Sequence, residues 1–209
     1  MTVSISRLYN NYDDARAAVR NLEGAGIEHN DISIIASNAD NWFDSDDRKA
    51  NTYPDRDLDG KDDRAEAAGA GAGVGAAIGG AAGLLAGLGI MAIPGVGPVV
   101  AAGWLASTLA GAATGGLTGG VVGALTQAGV GKEDADIYAE GLRRGGAVVS
   151  ARVPDRDAPR LQVVMDRSAV NVAQRGAAYR QAGWQSFNPK GTPYTADQIR
   201  KERDLYVRR

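Results

Sequence analysis

The feature that most constrains this chain is a long stretch without charge. Residues 67–131 contain no Asp, Glu, Lys, Arg or His, although charged residues make up 23% of the 209-residue chain. Glycine recurs there at every fourth position. The first series is Gly71, Gly75, Gly79, Gly83 and Gly87, and the second is Gly111, Gly115, Gly119 and Gly123.

Residues four apart lie on one face of a helix, so each glycine series predicts a flat stripe along which another backbone can approach closely. We therefore interpret residues 67–131 as a hairpin of two helices, from about 67 to 91 and from about 99 to 127, joined by a tight turn at 94–98. Glycine in a flexible linker would have no such period. The glycine stripes are the candidate self-association residues.

Composition excludes several classes of site. The chain has no Cys, which removes disulfides, thiolate catalysis and Cys-based zinc sites. The net charge of −2 and a pI near 5.5 give no indication of a nucleic-acid partner. Residues 1–14 lack the apolar core of a secretory signal, so we expect folding in the cytoplasm. The single histidine, His29, has no second ligand or base and is interpreted as a solvated turn residue.

The two charged flanks read as halves of one domain. Residues 1–37 predict a strand, a helix capped by Asn10 or Asn11, and a second strand. Residues 132–184 predict a helix to Arg144, a strand at 147–153, a helix at 158–167, a short strand at 169–172 and a helix at 173–182. The fold class is therefore α+β, a ferredoxin-like α/β sandwich of two βαβ halves, interrupted by the glycine-zipper helical hairpin. In the tail, 185–209, Thr195 and Gln198 have capping-box spacing for a last helix, whose basic residues we interpret as a solvated face.

Residues 38–66 form an acidic connector, for which a linker is the simplest interpretation. Within it Asp55, Asp57, Asp59, Gly60 and Glu66 match the spacing of an EF-hand calcium loop, with Lys61 at the position that offers a backbone carbonyl. Pro54 and Asp62 depart from that pattern. If these residues form a calcium loop, calcium should protect the region from trypsin, and Asp55→Ala with Asp59→Ala should remove the protection.

The apolar surface of the hairpin needs a cover, and two are available. Each helix is long enough for a bilayer of about 30 Å, and the positive residues around it place both flanks in the cytoplasm. Membrane lipid is then a partner, and the location is the cytoplasmic membrane with both termini in the cytoplasm. Alternatively, hairpins from several copies form the shared core of a soluble homo-oligomer. A pore-forming subunit is a further alternative, which liposome flux would test.

Two runs carry a resemblance to a known family. Residues 89–104 read GIMAIPGVGPVVAAGW and residues 135–146 read ADIYAEGLRRGG. Together with the N-terminal strand and helix, they resemble the bacterial general stress protein family, which is YflT-like and includes low-temperature-induced proteins. The resemblance covers about residues 3–184. It implies a stress-associated protein without enzymatic activity, with a ferredoxin-like domain and a glycine-rich hydrophobic hairpin.

No nucleophile and base pair, cofactor fingerprint or small-molecule site stands out in the sequence. We therefore expect a structural or interaction protein whose main partner is itself.

Overall fold

The computed structural model describes residues 1–43, 88–114 and 120–207. They form a mixed α/β fold with five strands and seven α-helices. The strands are β1 (Thr2–Tyr9), β2 (Ile32–Ser37), β3 (Gly89–Ile93), β4 (Gly97–Ala102) and β5 (Ala147–Pro154). The helices are α1 (Tyr12–Gly24), α2 (Trp104–Thr114), α3 (Gly120–Gln127), α4 (Lys132–Arg143), α5 (Ala158–Asp166), α6 (Val172–Gln181) and α7 (Ala196–Val207).

The strands form one antiparallel sheet in the order β1-β5-β2-β4-β3. β5 pairs with both β1 and β2, so these two strands run parallel on either side of it. The helix α1 makes the crossover between them. Asn11 caps α1 by accepting a hydrogen bond of 2.8 Å from the amide of Asp14, as the sequence predicts.

Helices cover both faces of the sheet. On the first face, α1 and α5 bury Leu22 and Leu161 against alternate residues of the strands. On the second face, α2, α3 and α4 bury Leu105, Leu125 and Leu142. Every residue of β2 is consequently buried, which is unusual for an antiparallel sheet, where one face is commonly solvated.

The second predicted βαβ half is incomplete. Its helices α4, α5 and α6 and its strand β5 are confirmed, but the short strand expected at 169–172 is wrong, because Val172 begins α6. A single backbone hydrogen bond of 2.7 Å, from the amide of Val170 to the carbonyl of Leu8, joins this segment to β1. The described residues therefore hold only a trace of the strand that would close the half.

The predicted helical hairpin is also wrong over residues 88–102, which form the β-hairpin of β3 and β4. Pro94 and Gly95 occupy the centre of a turn closed by a 3.0 Å bond from the amide of Val96 to the carbonyl of Ile93. Gly95 has a φ of +75°, so Pro–Gly meets the demand of a type II turn. Beyond the hairpin, one long helix was expected as far as Gln127, but α2 starts at Trp104 and a separate helix, α3, starts at Gly120, where φ is +45°.

Residues that follow the sheet pack back onto it. Phe187 and Ile199 are buried, and the capping box at Thr195 and Gln198 is formed by two reciprocal hydrogen bonds. A Cβ at Gly95 would lie 2.6 Å from the carbonyl oxygen of Asn188, and one at Gly145 would collide with Ile199. Glycine at these two points therefore lets residues 187–199 lie directly on the β-hairpin turn and on the end of α4.

Candidate association surface

The uncharged stretch supplies one edge of the sheet. The amide of Asn38 donates to the carbonyl of Pro98, so the even-numbered residues of β4 face β2 and the odd-numbered ones face β3. Met91 pairs with Val99, so the backbone N–H and C=O groups of Met91 point toward β4. Alternation along the strand leaves the N–H and C=O groups of Ile90 and Ala92 on the outer side. Among the described residues, no strand pairs with that side.

The side chains at this edge offer no protection by charge. Ile90 is 46% exposed, and Gly89 and Ala92 are also exposed. A flat edge strand without charge is the kind of surface on which another strand adds, and natural proteins commonly block it with Lys, Pro or a bulge. Here the first proline lies beyond the strand, at Pro94. The edge of β3 is therefore competent to pair.

The opposite edge, β1, is covered along its second half. Its outward carbonyls belong to even-numbered residues, and two of them are already bonded. The carbonyl of Leu8 accepts from Val170, and the carbonyl of Ser6 accepts from the hydroxyl of Tyr138 at 3.0 Å and from Nη1 of Arg7 at 2.9 Å. Arg7 also forms an ion pair with Asp166 of α5.

A cleft of about 210 Å³ lies beside the remaining part of β1, between Ser4, Gly131, Tyr138 and Gln162. Burial raises the pKa of Tyr138 to about 12, with the positive charge of Arg7 opposing the shift. The Tyr138 hydroxyl thus stays protonated as a donor to β1 at any physiological pH.

The structure places few of the predicted glycine residues. Gly111 lies in α2 and Gly123 in α3, whereas Gly71, Gly75, Gly79, Gly83, Gly87, Gly115 and Gly119 lie outside the described residues. A Cβ at Gly123 would have nothing within 4 Å, so this residue makes no close helix contact within the described fold. Ser107, in the same helix as Gly111, donates to the carbonyl of Trp104 within that helix. The glycine zipper stays a prediction.

The calcium residues Asp55, Asp57, Asp59, Lys61 and Glu66 also lie outside the described residues. In the part of the chain that is described, no three acidic or histidine side chains are grouped as metal ligands. None of the helices described there combines the length and apolarity that a bilayer crossing requires. His29 lies in a short 3-10 helix, His29–Asp31, before β2.

The run at 135–146 forms an ionic cluster that sequence reasoning missed. Glu140, fully buried, pairs with Arg144 at 2.7 Å and with Arg143 at 3.2 Å. Arg144 also pairs with Glu202 of α7 at 2.7 Å and lies over the ring of Tyr179, 4.2 Å from its centroid. Burial alone would lower the pKa of Arg144, but Glu202 and Glu140 outweigh it and raise the pKa.

The basic residues of α7 are therefore only partly the solvated face that the sequence suggested. Arg200 is exposed and pairs with Asp197. Arg203, by contrast, pairs with Asp40 at 2.6 Å and donates to the carbonyl of Gly145 at 3.0 Å. The correction has a physical cause, since α7 lies across the end of α4 and its inner cations replace water with carboxylates and carbonyls. This cluster fastens α7 to the end of α4.

The edge residues Ile90 and Ala92 were missed because the glycine spacing favoured a helix. The signal that could have found them is the β-branched run around Pro94 and Gly95, which is typical of a hairpin. No protein-family model, characterised protein or solved structure matches this chain.

Proposed function

We propose that the chain is a non-enzymatic structural protein that associates with itself through its uncharged stretch. The observation that carries the proposal is the outer edge of β3, where backbone donors and acceptors stand beside an exposed Ile90 and no charge. Apolar exposed surface of this kind marks an interaction site when it is continuous with unpaired backbone.

The resemblance of the runs at 89–104 and 135–146 supports a role in the bacterial stress response. In the described fold both runs build structure: the first forms the β-hairpin and the second forms α4 with its ionic cluster. Neither run supplies a nucleophile beside a base. The role we propose is accordingly assembly, with the chemistry of the stress response left to other molecules.

The ferredoxin-like relation belongs to the same proposal. β1, α1, β2 and β5 have the split βαβ arrangement, and the bond from Val170 to Leu8 lies where a fourth strand would pair. In this proposal, β4 and β3 extend a ferredoxin-like sheet beyond β2. A solved structure in which part of residues 160–175 forms a full strand paired with β1 would support this relation.

Light scattering coupled to gel filtration tests self-association directly. The purified chain should elute as a monomer at low concentration and as a larger species as its concentration rises. A chain that stays monomeric up to the solubility limit contradicts the proposal.

The glycine stripes give a second association mode with its own variants. Gly79→Leu with Gly115→Leu should weaken the oligomer while the α/β fold persists, because each leucine holds two helix backbones apart. If glycine is only tolerated filler, leucine raises helix propensity and apolarity instead, and the oligomer persists or tightens. An unchanged oligomer therefore removes the zipper but leaves association at β3 standing.

We propose two ways in which the apolar surface of the uncharged stretch is buried. It lies in a membrane, or it packs in the shared core of a soluble oligomer. Fractionation of cells followed by a carbonate wash separates them. Protein retained in the washed membrane supports attachment, and a large particle in the supernatant supports the soluble core.

A further inference from the structure

The mode of self-association can be specified from the edge of β3. Resting on the proposed function, we infer that two copies pair β3 against β3 about a two-fold axis at Met91, joining their sheets edge to edge. The partner is a second copy of this chain. The pairing element of each copy is an extended, uncharged strand whose backbone N–H and C=O groups are free at alternate residues.

The register follows from which backbone groups are free. Ile90 and Ala92 point their N–H and C=O groups outward, whereas Met91 points its own at β4. An axis at Met91 sets Ile90 of one copy opposite Ala92 of the other, and each such pair exchanges two backbone hydrogen bonds. Every outward group between Ile90 and Ala92 is then bonded.

The side chains fit the same register. Ile90 is the large exposed residue of the strand and Ala92 is the small exposed one. In the proposed pairing each Ile90 covers the partner's Ala92, so a bulky side chain faces a small one on both sides of the axis. A register that set isoleucine against isoleucine would instead place Ala92 opposite Leu88, which lies outside β3.

Charge favours a second copy as the occupant. Identical strands in a two-fold pair bring like charges together, which costs several kcal/mol when charges face each other. No charge lies in residues 67–131, so β3 and the turn after it bring none. The edge of β1 could not pair this way, because the carbonyls of Ser6 and Leu8 are already bonded and Arg7 would meet its own copy across an axis.

The interface is small. Stable complexes bury about 1,200–2,000 Å² in total, and a pairing of five-residue strands falls below that range. We therefore expect a reversible dimer whose population depends on concentration.

A disulfide trap tests the register. The chain has no Cys, so Met91→Cys introduces the only thiol. Antiparallel residues in a non-hydrogen-bonded pair have Cα atoms about 4.5 Å apart, which is within the range of about 4.4–6.8 Å that a disulfide requires. With oxidised glutathione, Met91→Cys should give a covalent dimer on a denaturing gel. Val163→Cys, placed at another exposed apolar site on α5, should give at least about tenfold less.

A charge substitution tests the same edge without a covalent cross-link. Ile90→Lys places two ammonium groups close to the axis and should weaken dimerisation by about tenfold or more. Val163→Lys is the matched control, since Val163 is 64% exposed and lies away from β3. Circular dichroism should show the same fold for both variants.

The outcomes separate the inference from the function it rests on. A dimer that survives Ile90→Lys and gives no disulfide at Met91→Cys overturns the β3 pairing but keeps self-association. A chain that is monomeric at every concentration overturns both, whereas occupation of the edge by residues of the same chain overturns only the β3 pairing. Loss of the dimer in Ile90→Lys together with the disulfide in Met91→Cys supports both.

Discussion

The two edge strands of the sheet, β1 and β3, are opposite in character. At β1 the outward carbonyls of Ser6 and Leu8 are bonded by other parts of the chain, and the Arg7–Asp166 ion pair lies beside them. At β3 the outward groups of Ile90 and Ala92 have no strand partner among the described residues, and no charge accompanies them.

The absence of charge at β3 is therefore specific to that edge and is not shared by β1. The same fold has the means to cover an edge and uses them at β1. Edge strands are a liability that proteins control, so an edge with no strand partner among the described residues motivates the proposed pairing.

The largest expected effect separates the glycine residues near the two edges. Gly146→Ala should lower the free energy of unfolding by about 1–3 kcal/mol, because overpacking of a tight site costs that much. Its Cβ would lie 2.8 Å from the carbonyl oxygen of Tyr9 in β1 and 2.9 Å from that of Gly141. Gly89→Ala in β3, where a Cβ meets nothing within 4 Å, should stay within about 0.5 kcal/mol of the parent. Urea unfolding measures both, and equal losses would contradict the contrast.

The next prediction concerns the covered edge. In a chain already made monomeric by Ile90→Lys, Arg7→Leu should stay monomeric, because the outward carbonyls of Ser6 and Leu8 remain bonded to Tyr138 and Val170. Arg200→Leu in the same background is the control, since Arg200 forms an exposed ion pair with Asp197 on α7. Light scattering measures the mass of each. A dimer formed by the Arg7 variant alone would show that its charge, rather than these bonds, blocks that edge.

A smaller effect appears at alkaline pH and concerns Tyr138, which donates to the carbonyl of Ser6 in β1. The pKa of Tyr138 is raised to about 12 by burial, against 10.0 for an ordinary tyrosine. The raised pKa contributes stability in full below pH 10, where both states are protonated. It is lost between about pH 10 and 12, where only the unfolded state ionises. Tyr138→Phe should therefore make this fall shallower, by about 1.4 kcal/mol per pH unit.

Thermal unfolding across pH 8 to 11 provides the measurement. At pH 8 the Phe variant should already be less stable, since it lacks the hydrogen bond to the carbonyl of Ser6. Parallel slopes above pH 10 would show that Tyr138 ionises equally in both states.

The smallest effect is that of salt on the β3 dimer. An interface without charge is not screened, so its dissociation constant should change less than about twofold between 0.05 and 0.5 M salt. Sedimentation at both ionic strengths checks this. A tenfold weakening would show that charged residues outside β3 carry the association.

Much of the fold is predictable from sequence because the flanks carry local signals. The apolar spacing of α1 and α4, the cap at Asn11 and the capping box at Thr195 and Gln198 all act within a few residues, and the structure confirms each of them. Such signals need no knowledge of distant partners.

The middle was mispredicted for a physical reason. Residues 88–102 are apolar throughout, and an apolar run reads equally well as a buried helix or a buried strand. The fourfold glycine period tipped the interpretation toward a helix, although Ile93, Val99 and Val100 flank the Pro–Gly turn. Which edge is open depends on the pairing order of strands far apart in sequence, so the site at β3 could not be read from local pattern.

The docking of residues 187–199 has a consequence for the time course of folding. Synthesis reaches Pro154 with all five strands available, but the hairpin turn and the end of α4 gain Asn188 and Ile199 only afterwards. Until then, residues 187–199 do not yet cover the turn at Gly95, and Arg144 lacks its partner Glu202. A nascent chain therefore contains β3 before it contains residues 187–199, which cover the adjacent turn. Partly folded chains that expose apolar surface in this way are prone to aggregate.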